Sequence, residues 1–133
     1  LLGGNFVKSI LIVDDEPAIL MALSHLLSNE NTLVLTSSRI EEAEEALDRY
    51  KFELVIADIR LSGIEGMEGL ELLSYVKGIS PETKVIIMTA YGSDEMKDSA
   101  YKRGAYHYYE KPIDVDDLTK KVEDCGIPVM VKK

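Results

Sequence analysis

The sequence is short of basic residues, holds one cysteine, and contains no long apolar run. Its 15 Lys+Arg against 24 Asp+Glu leave a formal net charge of −9. Such a surface repels nucleic-acid phosphates and anionic lipid headgroups, so direct nucleic-acid binding by this chain and membrane association are both disfavoured. The single thiol, Cys125, cannot form an internal disulfide, which fits a reducing compartment and predicts a cytoplasmic location. No apolar stretch approaches the roughly 20 residues of a spanning helix. Leu1-Leu2-Gly3-Gly4-Asn5 lacks the charged and apolar segments of a signal peptide. Repeats, linkers and low-complexity tracts are missing as well. No Gly-rich phosphate loop follows the first apolar run, which disfavours a nucleotide-binding fold.

What is present is enough for one domain: 133 residues, 46% hydrophobic and 29% charged. A chain of this size buries about two-thirds of its unfolded surface and needs no disulfide or structural metal. The expectation is a single domain over 1–133 with its core at about 7–125, the ends reading as tag or linker. A start without Met also fits a piece of a longer protein.

Periodicity divides the chain into alternating strands and helices. Val7 to Val13 is an apolar, β-branched strand running into Asp14-Asp15-Glu16-Pro17, where Asp15 or Glu16 can cap a helix from Pro17 to Ser28. Thr32 to Ser37 is a second strand, followed by a Ser38-capped helix over Glu41 to Tyr50. A third strand, Glu53 to Asp58, again ends on a carboxylate; a loop from Ile59 to Glu68 leads to a helix from Gly69 to Lys77, with Gly78 as its stop. The fourth strand, Lys84 to Thr89, precedes a Ser93-capped helix ending at Arg103-Gly104, which carries little apolar surface and should be the least firmly packed. Ala105 to Tyr109 reads as a fifth, aromatic strand and Val115 to Cys125 as a last helix. Strands alternating with helices predict an α/β three-layer sandwich, a doubly wound five-stranded parallel sheet.

In such sheets the ligand sits at the carboxyl ends of the strands. With the order 2-1-3-4-5, of flavodoxin-like type, Asp14, Asp15 and Asp58 converge at one edge. Two carboxylates about 4 Å apart repel by roughly 4 kcal/mol at an effective dielectric near 20, so a divalent cation is called for, and oxygen-only ligands favour Mg²⁺. Thr89 supplies a hydroxyl and Lys111 a cation for phosphoryl oxygens, which makes Asp58 the natural nucleophile and an aspartyl phosphate the product. Helix capping would account for one of the two acids at 14 and 15 but not for Asp58 on the neighbouring strand. Alone, Thr89 would be an ordinary strand-end residue and Lys111 a solvated charge; their coincidence gives them weight.

The runs Ile12-Val13-Asp14-Asp15-Glu16, Val55-Ile56-Ala57-Asp58-Ile59-Arg60, Met88-Thr89-Ala90-Tyr91-Gly92 and Tyr108-Tyr109-Glu110-Lys111-Pro112 resemble the receiver domain of two-component response regulators over nearly the whole chain. The Thr-Ala-Tyr-Gly run and Gly104-Ala105 are similar to the nitrogen-regulatory class. The resemblance implies that Asp58 accepts a phosphoryl group from a sensor histidine kinase or phosphotransfer protein. It implies that Asp14, Asp15, Asp58 and the backbone carbonyl of Arg60 hold Mg²⁺, and that Thr89 and Lys111 hold the phosphoryl oxygens. Thr89 and Tyr108 would be the switch pair, Lys111-Pro112 a cis peptide, and the helix 4–strand 5–helix 5 face the output surface, regulating transcription or forming a homodimer. Catalysis would extend only to the domain's own phosphorylation and dephosphorylation.

The chain departs from the family in the loop after Asp58, where Ser62 stands in place of a usual proline and residues 61–68 read as longer and more mobile. Tyr91 and Arg60 border the expected phosphoryl position, and a bulky Tyr91 there would restrict attacking water. Among Tyr101, Tyr106, His107, Tyr108 and Tyr109, alternate strand residues fill the core and any left outside mark a contact patch; His107 reads as a partly exposed packing residue. Two other readings stand beside the phosphoacceptor: a small Mg²⁺-dependent phosphohydrolase working through an aspartyl phosphate, and a degenerate receiver binding partners without phosphate.

Overall fold

The computed structural model describes residues 8–60 and 68–129. Of the longer loop expected over 61–68, residues 61–67 lie outside the described residues, as do Val7 and both chain ends, while Glu68 already stands in a helix. The elements run β1 (Lys8–Val13), α1 (Pro17–Leu27), β2 (Thr32–Ser37), α2 (Ile40–Arg49), β3 (Leu54–Asp58), α3 (Glu68–Ile79), β4 (Lys84–Thr89), α4 (Asp94–Lys102), β5 (His107–Glu110) and α5 (Val115–Asp124). All strand pairs are parallel, as the alternating pattern predicts, and their order β2-β1-β3-β4-β5 is the expected flavodoxin-like one.

Alternation within the strands separates two apolar layers. Leu11, Val13, Val55, Ala57, Val85 and Ile87 face Ala43 and Leu47 of α2, Leu70, Leu73 and Val76 of α3, and Ala100 of α4. Ile10, Ile12, Leu54, Ile56, Ile86 and Met88 face Leu23 and Leu27 of α1 and Leu118 and Val122 of α5. Each fully buried Leu or Ile contributes about 1.5–3 kcal/mol, so these layers fix the strand register: Val13 lies opposite Ser37 and Ala57, Asp58 opposite Met88, and Thr89 opposite Glu110. The strand ends therefore finish level, and the residues just beyond them share one edge.

Local punctuation follows the sequence in part. Pro17 opens α1 but Glu16, at its N-cap, makes no side-chain capping bond; the Glu16 N–H instead donates to Asp14 Oδ1 at 2.8 Å. Ser38 does not cap α2. Arg39 occupies that position, and Glu42 reaches back so that its carboxylate accepts the Ser38 N–H at 3.2 Å. Gly78 does not stop α3, which continues to Ile79, because nothing there forces a left-handed backbone and the Ser80 N–H still donates to Val76 O at 2.7 Å. Ser93 caps α4 as expected, accepting the Met96 N–H at 3.1 Å, and Gly104 follows it at φ +104°.

The fifth strand starts two residues later than its aromatic run suggests. Ala105 is still occupied with closing α4, its N–H donating to Ala100 O at 3.0 Å, and ladder pairing begins at His107 opposite Ile86. Tyr108 and Tyr109 are buried on opposite faces of the sheet, and His107 is half-buried with its ring 4.4 Å from that of Tyr109. Tyr101 and Tyr91 are the aromatics of this region left exposed.

As expected from its composition, α4 buries only Ala100. Arg103 at its end ties it to α3: one guanidinium nitrogen donates to Leu70 O at 3.0 Å and to Ser74 Oγ at 3.3 Å.

Candidate functional site

The level strand ends bring Asp14, Asp58, Thr89 and Lys111 together. Asp14 follows β1 and is fully buried; Asp58 ends β3 at 5% exposure; Thr89 ends β4 at 1%. Lys111 follows β5, where its N–H donates to Thr89 O at 2.8 Å and so carries the ladder one step past the strand. The Lys111-Pro112 peptide is cis.

The Lys111 ammonium is the hub. It lies 2.9 Å from Asp14 Oδ2, 2.9 Å from Glu16 Oε1 and 3.1 Å from Asp58 Oδ2. Burial alone would pull its pKa down, but the bonds to Asp14, Glu16 and Asp58 outweigh that and hold it well above the ordinary lysine value. Asp58 shows the opposite balance: burial raises its pKa, against the pull of Lys111 and of the Arg60 N–H, which donates to Asp58 Oδ1 at 3.2 Å. Asp15 is exposed, and its pKa is raised by partial desolvation and then by Asp14.

Above this layer opens a cavity of about 190 Å³ lined by Asp15, Glu16, Asp58, Arg60, Thr89, Ala90 and Tyr91. The small Ala90 leaves the cavity open. The Thr89 hydroxyl oxygen accepts the Tyr91 N–H at 3.2 Å. At the rim, the Arg60 guanidinium lies 5.6 Å from the centre of the Tyr91 ring, within cation–π range.

Carboxylate oxygens of Asp14, Glu16 and Asp58 all lie within 4.8 Å of one another. This donor set is hard and oxygen-only, the chemistry that suits Mg²⁺. Asp15 and Arg60 stand at the cavity wall beside it. Glu16 is the member that sequence reasoning missed, having been read as a helix cap; the signal was its place as the third acid in a row at a strand end.

Tyr108, which the sequence reading pairs with Thr89, is 7% exposed with its ring in the core layer shared by α2, α3 and α4. Its hydroxyl is buried and, among the described residues, has no partner of good hydrogen-bond geometry; burial pushes its pKa up, against the Ser93 backbone.

Known proteins share this fold. Residues 10–123 match the response regulator receiver domain family. The DNA-binding transcriptional regulator NtrC of Escherichia coli K12 is 36% identical over 112 residues, covering 84% of this chain and 23% of that protein. The chain spans about a quarter of the length of the first curated relatives it matches. Among solved structures, a receiver-domain protein of Methanospirillum hungatei superposes with a TM-score of 0.81 at 34% identity, covering 89% of this chain and 92% of that one. The beryllofluoride-activated NtrC4 receiver domain dimer gives a TM-score of 0.79 at 30% identity, covering 90% and 96%. The chain belongs to the response regulator receiver domain family, with relatives in its nitrogen-regulatory class.

Proposed function

We propose that residues 1–133 form one phosphoacceptor receiver unit, in which Asp58 takes a phosphoryl group from the phosphohistidine of a sensor histidine kinase or phosphotransfer protein in the cytoplasm. The supporting observation is the Lys111 ammonium 3.1 Å from Asp58 Oδ2 at the floor of a solvent-open cavity. An Asp58 carboxylate oxygen attacks the phosphorus, the P–N bond breaks, and its electron pair leaves with the imidazole. Lys111 and the Thr89 hydroxyl hold the phosphoryl oxygens through charge-assisted bonds. Asp14, Asp15 and Asp58, with the Arg60 carbonyl, would hold Mg²⁺, which when bound supplies positive charge that polarises the phosphoryl group and screens the carboxylates.

The consequence is a switch. Thr89 is drawn towards the phosphoryl group, Tyr108 follows it, and the α4–β5–α5 face changes its partner. One such partner would be a second copy of the chain, and dimerisation as such is supported by the dimeric state of the similar NtrC4 receiver. With a net charge of −9 the unit does not itself read DNA, and control of transcription would pass through an attached domain.

Incubation with Mg²⁺ and a small acyl phosphate should add one phosphoryl group by intact mass, and Asp58→Ala or chelation of the metal should abolish it. Continuous release of phosphate in many turnovers would favour a phosphohydrolase, and no adduct on the unaltered chain would favour a phosphate-independent binding module. The lifetime of the adduct tests the rim. Tyr91 and Arg60 lie against each other in the lining of the cavity over Asp58 and would narrow the approach of water, so Tyr91→Ala should speed hydrolysis about tenfold, some 1.4 kcal/mol of barrier. An unchanged decay of the phosphorylated mass would remove Tyr91 from that role.

A further inference from the structure

Glycine at position 92 is not demanded by its backbone, because the described glycines with positive φ are Gly104 and Gly126. It is demanded by its neighbours. A Cβ there would overlap the Tyr108 hydroxyl, come within 2.6 Å of Glu110 Oε2 and press on Thr89 Cγ2 at 3.1 Å. The carboxylate is the far end of an exposed side chain and can swing away. The tyrosine hydroxyl is buried and has no room to give way unless the whole ring leaves its inward position.

Among the described residues that hydroxyl also has no partner of good hydrogen-bond geometry, the Ser93 backbone beside it included, so no strong directional bond holds the ring in. Its inward position rests on packing against the core layer and on the room left by the missing side chain at 92. We propose that Gly92 is the seat of Tyr108: a positioning residue whose lack of a side chain lets the ring lie inward beside Thr89. With the receiver reading, on which this consequence rests, any side chain at 92 would hold Tyr108 out and uncouple Thr89 from the α4–β5–α5 face.

The test compares Gly92→Ala in two backgrounds, the unaltered chain and Tyr108→Phe, where the clashing oxygen is gone. At a position with ordinary φ, Gly to Ala restricts the unfolded chain and by itself stabilises. With Phe at 108 the melting temperature should therefore stay level or rise. With Tyr at 108 it should fall, or the ring should turn out and become several-fold more reactive to O-acetylation by N-acetylimidazole, read at Tyr108 by peptide mass. Either signature supports the seat; equal melting shifts in both backgrounds together with unchanged labelling overturn it. Both readouts use unphosphorylated protein, so they stand apart from whether Asp58 accepts phosphate.

Discussion

Lys111→Met is expected to lower the free energy of unfolding by about 3–5 kcal/mol at neutral pH in buffer free of divalent ions, the range for leaving a buried charge without its partner. The lysine side chain is 10% exposed and bridges Asp14, at 0%, and Asp58, at 7%. Methionine keeps the length and apolar stem, so the loss isolates the ammonium. The effect carries a pH signature. Because the folded-state pKa of Lys111 is raised, its contribution is complete below the unfolded value near 10.4 and disappears only as pH climbs through the folded value. Asp58 is also raised, and for an acid this means that stability is lost as pH rises from its ordinary 3.8 through the folded value. Without Lys111 that second loss deepens, so the deficit of the variant should narrow on acidification towards about pH 4. Urea unfolding at both pH values decides it; a deficit independent of pH would mean that packing, and not charge, was removed.

The other large effect is predicted at Gly69. A Cβ there would collide with backbone atoms, Asp58 O and C and Ile59 Cα, and no side-chain rotation relieves it. The first turn of α3 rests on the end of β3, with the Gly69 N–H donating to Ile59 O at 2.9 Å. Gly69→Ala must push the helix off the strand that carries the acceptor, at a cost of about 3 kcal/mol, the upper part of the range for overpacking. Urea denaturation should show that loss, and phosphorylation by a small acyl phosphate should slow with it. Gly78→Ala is the control within the same helix, because nothing lies within 4 Å of its Cβ position. A stable Gly69→Ala protein with unaltered phosphorylation would show that the contact gives way without moving Asp58.

Much of this arrangement was legible in the chain. Strands such as Leu54–Asp58 announce themselves as apolar runs ending in acid, the helix–strand alternation predicts a parallel sheet, and the flavodoxin-like order assumed for it is the one observed. Asp14, Asp58, Thr89 and Lys111 could be placed at one edge for the same reason. The errors lie where a competing partner, near or far along the chain, overrides the simplest local signal. Glu42 reaching back to Ser38 displaces the expected cap, and Ala105 closes α4 before β5 can begin. Glu16 looked like a cap because its partner Lys111 lies 95 residues away. Arg103 gave no local sign of its bond to Leu70 O, 33 residues distant.

That last bond gives α4 unequal ends. The C-terminal end is pinned to α3 through Arg103, while the turn next to Thr89 and Tyr91 begins at the exposed Ser93 and, before Ala100, reaches the core only with the half-buried Met96 among its apolar side chains. Nine residues make a rod of roughly 13 Å at 1.5 Å per residue. Pivoting about the pinned end by about 10° would carry the first turn roughly 2 Å along an arc, by that same geometry. The helix is thus mounted as a lever, with its fulcrum at α3 and its free end at the mouth of the site.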